Sequence, residues 1–417
     1  MRPGPRTKIA PRPHKALPID PISVSNGAVV RRWEVAAMGG EMFFGLIVVA
    51  LLFAASPAGA EDVSGMSAHL PTVTSAEIKK WQTLAEKGDA KAQYWLGFVY
   101  ATGQGAPRDH GEAVKWLLKS ARQGYAMAQN DLGVMYDNGL GVKRDHVEAA
   151  KWFLKAAEQR NAKALTNLGL MYMEGRGVPH DYAEAVKWYR RATELGYARA
   201  QYNVGFMYMK GYGVPQDYGE AVRWYRRAAD QGYARAQHSL AFMYRYGRGV
   251  RPDYEAAVKW FYKAAWQGFT DSLKWLHGAA DQGHAGAQHH LALLYRAGRG
   301  VEQDYSEALR WFEEAAAQGY QPAVEGRARL LATARDGEVR DGNKAVTLAA
   351  EAVKARRSVD ALDTLAAAYA EVGRFSAAVQ MQLQVLEMLR AQGASSSRVK
   401  GYADRLAIYK EKRPYRE

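Results

Sequence analysis

The chain contains no cysteine. That absence excludes disulfides, thiolate metal sites and a lipoprotein anchored through an acylated cysteine. It also lacks a membrane-length apolar run. The stretch Met42–Ala55 is about the length of a signal-peptide core and short for a spanning helix. Histidine is scarce, at 10 in 417 residues, and only His277, His284, His289 and His290 gather. No run of six like charges occurs, although 57 Lys and Arg against 43 Asp and Glu leave a formal net charge of +14. Charge dispersed in this way describes a solvated basic surface, or a face for an acidic partner such as an anionic glycan, lipid head groups or an acidic protein.

What the chain does have is a sentence written several times. Residues 177–201 read GVPHDYAEAVKWYRRATELGYARAQ and residues 213–237 read GVPQDYGEAVRWYRRAADQGYARAQ. Trp116, Trp152, Trp188, Trp224 and Trp260 fall 36 residues apart, as do Gly97, Gly133, Gly169, Gly205 and Ala241. A sixth copy ends in Trp311, displaced by an extra 15 residues. A fixed period of this size predicts a stacked array that grows along one dimension, which overrides the two or three domains that length alone implies.

The copy from Ala200 to Gly232 shows the chemistry. Ala200, Val204, Gly205 and Tyr208 share one face of a first helix. A glycine inside a helix costs about 1 kcal/mol against alanine, so its return in copy after copy predicts another helix passing too close for a Cβ. Gly211 and Gly213 then permit a tight reversal with positive φ, and Val214 plugs the elbow. Asp217 predicts the N-cap of a second helix, with Glu220 at capping-box spacing. Ala221, Trp224, Tyr225, Ala228 and Ala229 form its apolar stripe, and Gly232 ends it. Arg160 stands where the other copies have this last glycine, which predicts strain at that end.

Spelled out, the unit is A-x-x-L-G-x-x-Y, G-x-G-V and D-x-x-E-A-x-x-W-x-x-x-A-A-x-x-G. It resembles the Sel1-like repeat, a subgroup of the tetratricopeptide-type α/α solenoids. The resemblance implies a scaffold or adaptor and carries over no catalytic residue and no cofactor. The expected fold is all-α, a right-handed superhelical solenoid of antiparallel helix pairs.

The array departs from its own rule twice. In GFTDSLKWLHGAADQG, Trp275 precedes Gly283 as in a normal second helix, but the first helix and the G-x-G-V loop are missing. One helix is therefore expected to stack without a partner near residues 269–283. After Tyr320 the Trp signature stops, with breaks expected at Gly337 and Gly342. From Asp360, the residues Leu365, Ala366, Tyr369, Gly373, Phe375 and Ala378 resemble a tetratricopeptide repeat, and a helix around Arg398–Tyr409 is the natural polar cap. The organisation expected is residues 1–60 as N-terminal extension and signal, 61–74 as linker, 75–323 as the array and 324–417 as C-terminal helices and cap.

Other motifs fall away on inspection. The G-x-G pairs lack a third glycine and a following Lys-Ser/Thr, so no phosphate loop is implied. Ser397–Lys400 matches S-x-x-K without its companion motifs. His289 and His290 are neighbours on one helix and point apart, so surface polar residues are expected there rather than a metal site. The recurring acids are helix caps rather than catalysts. Tyr and Arg interleave near Arg190 and Arg226, but export argues against nucleic acid.

Export is read from the N-terminus. Arg31 and Arg32 precede the apolar run, Ala58-Gly59-Ala60 fits a cleavage site, and a mature chain is expected to start at Glu61. Periplasm or secretion follows, with an inner-membrane anchor if the segment stays uncleaved. Within the array, first-helix positions Tyr94, Asn130, Asn167, Tyr202 and His238 differ between copies. They are expected to be exposed on the concave face and to line a groove for a protein or peptide partner.

Overall fold

The computed structural model describes residues 73–417, and the signal, its cleavage site and most of the linker lie outside them. Nineteen helices and no strand make up the described residues. The entry helix α1 spans Ser75–Glu86. Five regular pairs follow: α2 Ala90–Thr102 with α3 His110–Arg122, α4 Ala126–Asn138 with α5 His146–Glu158, α6 Ala162–Glu174 with α7 Tyr182–Thr193, α8 Ala198–Lys210 with α9 Tyr218–Asp230, and α10 Ala234–Tyr246 with α11 Tyr254–Trp266. The lone helix α12, Thr270–Asp281, interrupts them before the sixth pair, α13 Ala285–Ala297 with α14 Tyr305–Ala317. Then come α15 Gln321–Thr333, α16 Gly342–Ala355, α17 Val359–Glu371, α18 Phe375–Ala391 and α19 Ser396–Lys410. Each helix packs on its neighbours in sequence, the arrangement of an α/α solenoid.

The helical glycine marks the close approach within each pair. A Cβ at Gly97 would lie 2.7 Å from the Leu117 side chain, at Gly133 2.7 Å from Phe153, at Gly169 2.5 Å from Tyr189 and at Gly205 2.8 Å from Tyr225. The residue filling the space is in each case the one after the tryptophan. Tyr189, Tyr225, Phe261 and Phe312 are fully buried, whereas Trp188, Trp224 and Trp260 are only half-buried. Burying such a ring contributes about 2–3 kcal/mol, which outweighs the glycine's propensity cost. Trp116, Trp188 and Trp260 sit at the margin under a cation one turn on, with Lys119 4.1 Å, Arg191 4.6 Å and Lys263 3.9 Å from their ring centres; Trp152 and Trp311 are buried, at 6% and 3% exposed, and Lys155 still lies 4.2 Å from the Trp152 ring centre.

The loops join successive repeats. Gly141, Gly177, Gly213 and Gly249 have positive φ, and a Cβ on any of them would strike the first residues of the preceding pair's second helix. Gly300 meets the Ala265 carbonyl instead, at the far end of α11, because α12 stands where a full pair would be.

Asp109, Asp145, Asp181, Asp217, Asp253 and Asp304 cap their helices, each accepting from the backbone N–H three residues on. The expected capping box does not close at these sites, because the Asp N–H is already spent. It donates to the first-helix Tyr carbonyl nine residues back, at 2.9 Å for Asp109 to Tyr100 and 3.0 Å for Asp217 to Tyr208. The glutamates turn forward to the basic residue one turn on. Glu112 meets Lys115 at 2.6 Å, Glu148 meets Lys151 at 3.1 Å and Glu184 meets Lys187 at 2.8 Å. Thr74 and Glu77 form the reciprocal box at the start of α1.

A second seam is polar. The Gln123 side chain donates to Gln93 at 2.7 Å, and Gln159 to Gln129, Gln231 to Gln201 and Gln267 to Gln237 at 2.8 Å each. Gln129 and Gln237 donate in turn to the carbonyls of Ala121 and Ala229, the helix end of the previous pair. One amide thus ties three helices. The third repeat lacks both partners and carries Leu165 and Leu195. Arg160 adopts φ 59°, in the left-handed region its glycine counterparts prefer. Gly342 opens α16 under the Asp341 cap, where a break was expected.

Candidate partner-binding face

First-helix side chains of successive pairs meet at Tyr94 with Asp131 and at Asn130 with Asn167, and the row expected to line the groove sits in that seam. Two of its members are not exposed. Tyr94 is 4% exposed and Asn130 4%, because the first helix of the next repeat covers them. Asn167 stands one residue out of register; the repeat equivalent of Asn130 is Thr166, which is fully buried and donates to the Ala162 carbonyl at 2.8 Å. Tyr202 is half-buried between Tyr225 and Tyr233, with ring centres 5.5 and 5.4 Å away. His238 is half-buried among Phe242, Phe261 and Phe269, and its Nδ1 lies 2.7 Å from the Ser272 hydroxyl. Burial pushes the His238 imidazole down to about 4, partly opposed by Asp271.

The structure joins three of these positions in one network. Asn130 donates to Asp131 at 2.9 Å and accepts from Asn167 at 3.1 Å, and the Tyr94 hydroxyl bonds to the same Asp131 carboxylate. Loss of water holds the Asp131 carboxyl above its ordinary range, while Asn130, Lys163 and Tyr94 pull it back. The network bridges α2, α4 and α6 and fixes their spacing.

The histidines divide rather than converge. His284 caps α13, its ring accepting from the Ala287 N–H at 3.1 Å. His290 stacks on Tyr262 at 4.3 Å, and His289 packs near Phe312 and Tyr320. Their rings are half-buried, not the surface polar residues the sequence led us to expect. Burial lowers His289 to about 4 and His290 to about 3. Among the described residues no group of three or more His, Asp and Glu is arranged to hold a metal.

Water meets the first helices at other positions. Met127 at the start of α4 is 43% exposed and Tyr246 at the end of α10 is 54% exposed. Lys91 and Lys163 share the register of Met127, and Lys210 and Glu174 share that of Tyr246; all four are exposed. The basic residues preceding the tryptophans, by contrast, are largely neutralised by their glutamates; Lys259 lacks one because Ala256 replaces it. The glutamine ties went unread in the sequence, although pairs of Gln 30 residues apart, with a Leu pair in the third copy, were the signal for them.

The Sel1 repeat model matches residues 90–125, 126–161, 162–197, 198–233, 234–269 and 285–320, a little over half of the chain. The residues between the fifth and sixth matches contain α12. Among solved structures, a protective antigen of uropathogenic Escherichia coli displaying an SLR fold is 29% identical, with 81% of this chain and 82% of that chain covered and a TM-score of 0.44. A Sel1 repeat protein from Oxalobacter formigenes is 32% identical, with 62% of this chain and 96% of that chain covered and a TM-score of 0.38. No curated protein matches the sequence.

Proposed function

This chain belongs to the Sel1 repeat family, and on that premise we propose that it is a non-enzymatic adaptor of the cell envelope that holds a protein or peptide on the face built by its first helices. A solenoid of this type is a scaffold suited to protein–protein contact. The observation that carries the reading is a division of labour along each first helix. The glycine, the Tyr carbonyl that meets the Asp cap and the Gln tie serve packing and recur. The exposed positions change from Lys91 to Met127 to Lys163 at one end, and from Glu174 to Lys210 to Tyr246 at the other. A constant frame with a varied surface is how an array acquires specificity.

Export rests on the apolar run Met42–Ala55 and on Ala58-Gly59-Ala60, with periplasm or secretion as the destination and an inner-membrane anchor as the alternative. A mature chain that begins at Met1 on N-terminal sequencing would end the cleavage claim.

The test is to cross-link tagged, full-length protein in its own envelope and identify what co-purifies. A defined protein recovered at moderate salt supports the adaptor. Glycan alone, lost as salt rises, overturns it in favour of polymer binding.

A further inference from the structure

Guanidinium groups gather where the array meets the last helices. Arg329 on α15 lies 2.8 Å from Asp363 of α17 and also pairs with Glu417. Arg405 of α19 shares the Asp363 carboxylate. Arg296, at the end of α13, lies 3.8 Å from the other carboxylate oxygen of Glu417. These arginine side chains are only 17%, 20% and 23% exposed for Arg329, Arg405 and Arg296, and Asp363 is 2% exposed. With Glu417 in place, three cations face two acids. Without it, two positive charges stand uncompensated in a site largely shielded from water, which is costly. The site therefore calls for a carboxylate. Burial lowers the Arg296 guanidinium, and Glu417 counters that effect.

Glu417 reaches this site as part of a segment without regular structure. The chain leaves α19, turns at Lys412 with φ 55° and runs back across α17. Tyr415 packs against Ala366, Ala370 and Tyr409, with the Arg405 guanidinium 4.8 Å from its ring centre. Arg416 meets Glu371 at 2.6 Å. The Glu417 N–H donates to the Thr333 carbonyl at 3.0 Å, and its main-chain oxygen accepts from the Tyr305 hydroxyl at 3.2 Å. An aromatic anchor, main-chain hydrogen bonds and a half-buried charge pair are the contacts by which a folded surface holds a peptide.

We propose that Arg296 and Arg329 form a binding site for an acidic side chain placed two residues after an aromatic one in a peptide, with Tyr305 holding the peptide main chain, and that residues 413–417 occupy this site as a displaceable plug. The proposal rests on the reading of the array as a peptide or protein holder. Arg296 lies two turns after His289 on α13 and so faces the same way, along the first-helix row. A plug held in cis competes at an effective concentration near the millimolar range, so a partner peptide must exceed it before it enters.

The probe is a labelled synthetic peptide of residues 411–417, titrated into the full chain and into a chain ending at Lys410. The shortened chain is expected to bind it about tenfold more tightly than the full chain. A peptide carrying Glu417→Gln is expected to bind about tenfold more weakly than its parent. If the shortened chain fails to fold, Glu417→Gln in the full chain serves instead and is expected to raise peptide binding. Equal binding by plugged and unplugged folded chains, or none by either, overturns the plug. Partner recovery by cross-linking is scored separately on the same proteins. Failure there sinks the adaptor reading, whereas failure of peptide binding sinks the plug alone.

Discussion

The side-chain amide of Gln231 donates a 2.8 Å hydrogen bond to Gln201, thirty residues earlier, and Gln201 is 7% exposed. The same tie recurs in four other repeats, so the turn that ends one second helix is bound to the first helix of its own pair. Gln231→Ala should leave the buried Gln201 oxygen without this donor and cost about 1–2 kcal/mol. Urea unfolding of both single variants and the double variant checks it. A coupling energy near zero would mean that the tie is incidental.

Close approach makes a second prediction. Gly169→Ala places a Cβ 2.5 Å from the Tyr189 ring and should destabilise the protein by about 1–3 kcal/mol, despite the better helix propensity of alanine. At Ala241, opposite Phe261, the methyl is already accommodated, so Ala241→Gly should cost about 1 kcal/mol. Thermal unfolding of the two variants tests both figures. Stabilisation by Gly169→Ala would contradict the packing described.

Arg160 holds φ 59° at a position where the other repeats place glycine. Arg160→Gly should relieve the left-handed strain and stabilise by about 1 kcal/mol. An unchanged urea midpoint would show that the turn relaxes without it.

Protonation gives a fourth prediction. His238, His289 and His290 sit at about 4, 4 and 3 when folded, below the unfolded value of about 6.5. Between those values the unfolded chain binds more protons, so stability rises with pH and is lost as pH falls from about 6.5 towards 4. Asp131 acts in the opposite sense, because its folded carboxyl is held above its unfolded value. Burial also lowers His110 and His277, so the histidines outweigh Asp131 and the free energy of unfolding should be lower at pH 5 than at pH 7. His290→Gln should flatten that slope in urea titrations at the two pH values.

The proposed binding face separates from the packing seam in a fifth experiment. Tyr246→Ala and Met127→Ala remove exposed side chains and should reduce recovery of the cross-linked partner; Met127→Ala should leave the melting temperature unchanged, and Tyr246→Ala, which gives up the stack on Phe242, should lower it slightly. Tyr202→Ala and His238→Ala remove ring contacts and should lower the melting temperature. Partner recovery insensitive to Tyr246 and Met127 would move the face elsewhere.

Much of this fold was legible in the sequence because the information is local and repeated. A glycine at fixed spacing, a Gly-x-Gly reversal, an Asp cap and a closing glycine each act within a few residues of themselves, and six copies removed the ambiguity of one. The missing first helix before Trp275 was legible for the same reason, as a gap in a regular count. The tertiary structure alone decided which residue at a packing margin goes inside. Periodicity places Trp224 and Tyr225 on adjacent strips of one helix, but the opposing Gly205 selects Tyr225 for the interior. Glu220 sits at capping-box spacing, yet Tyr208 takes the Asp217 N–H first. Tyr94 and Asn130 looked exposed on a single helix and are buried because the next repeat lies over them. The Arg329 and Glu417 pair, 88 residues apart, obeys no period at all. A one-dimensional pattern specifies the faces of a helix, whereas only the neighbour in space determines which face loses its water.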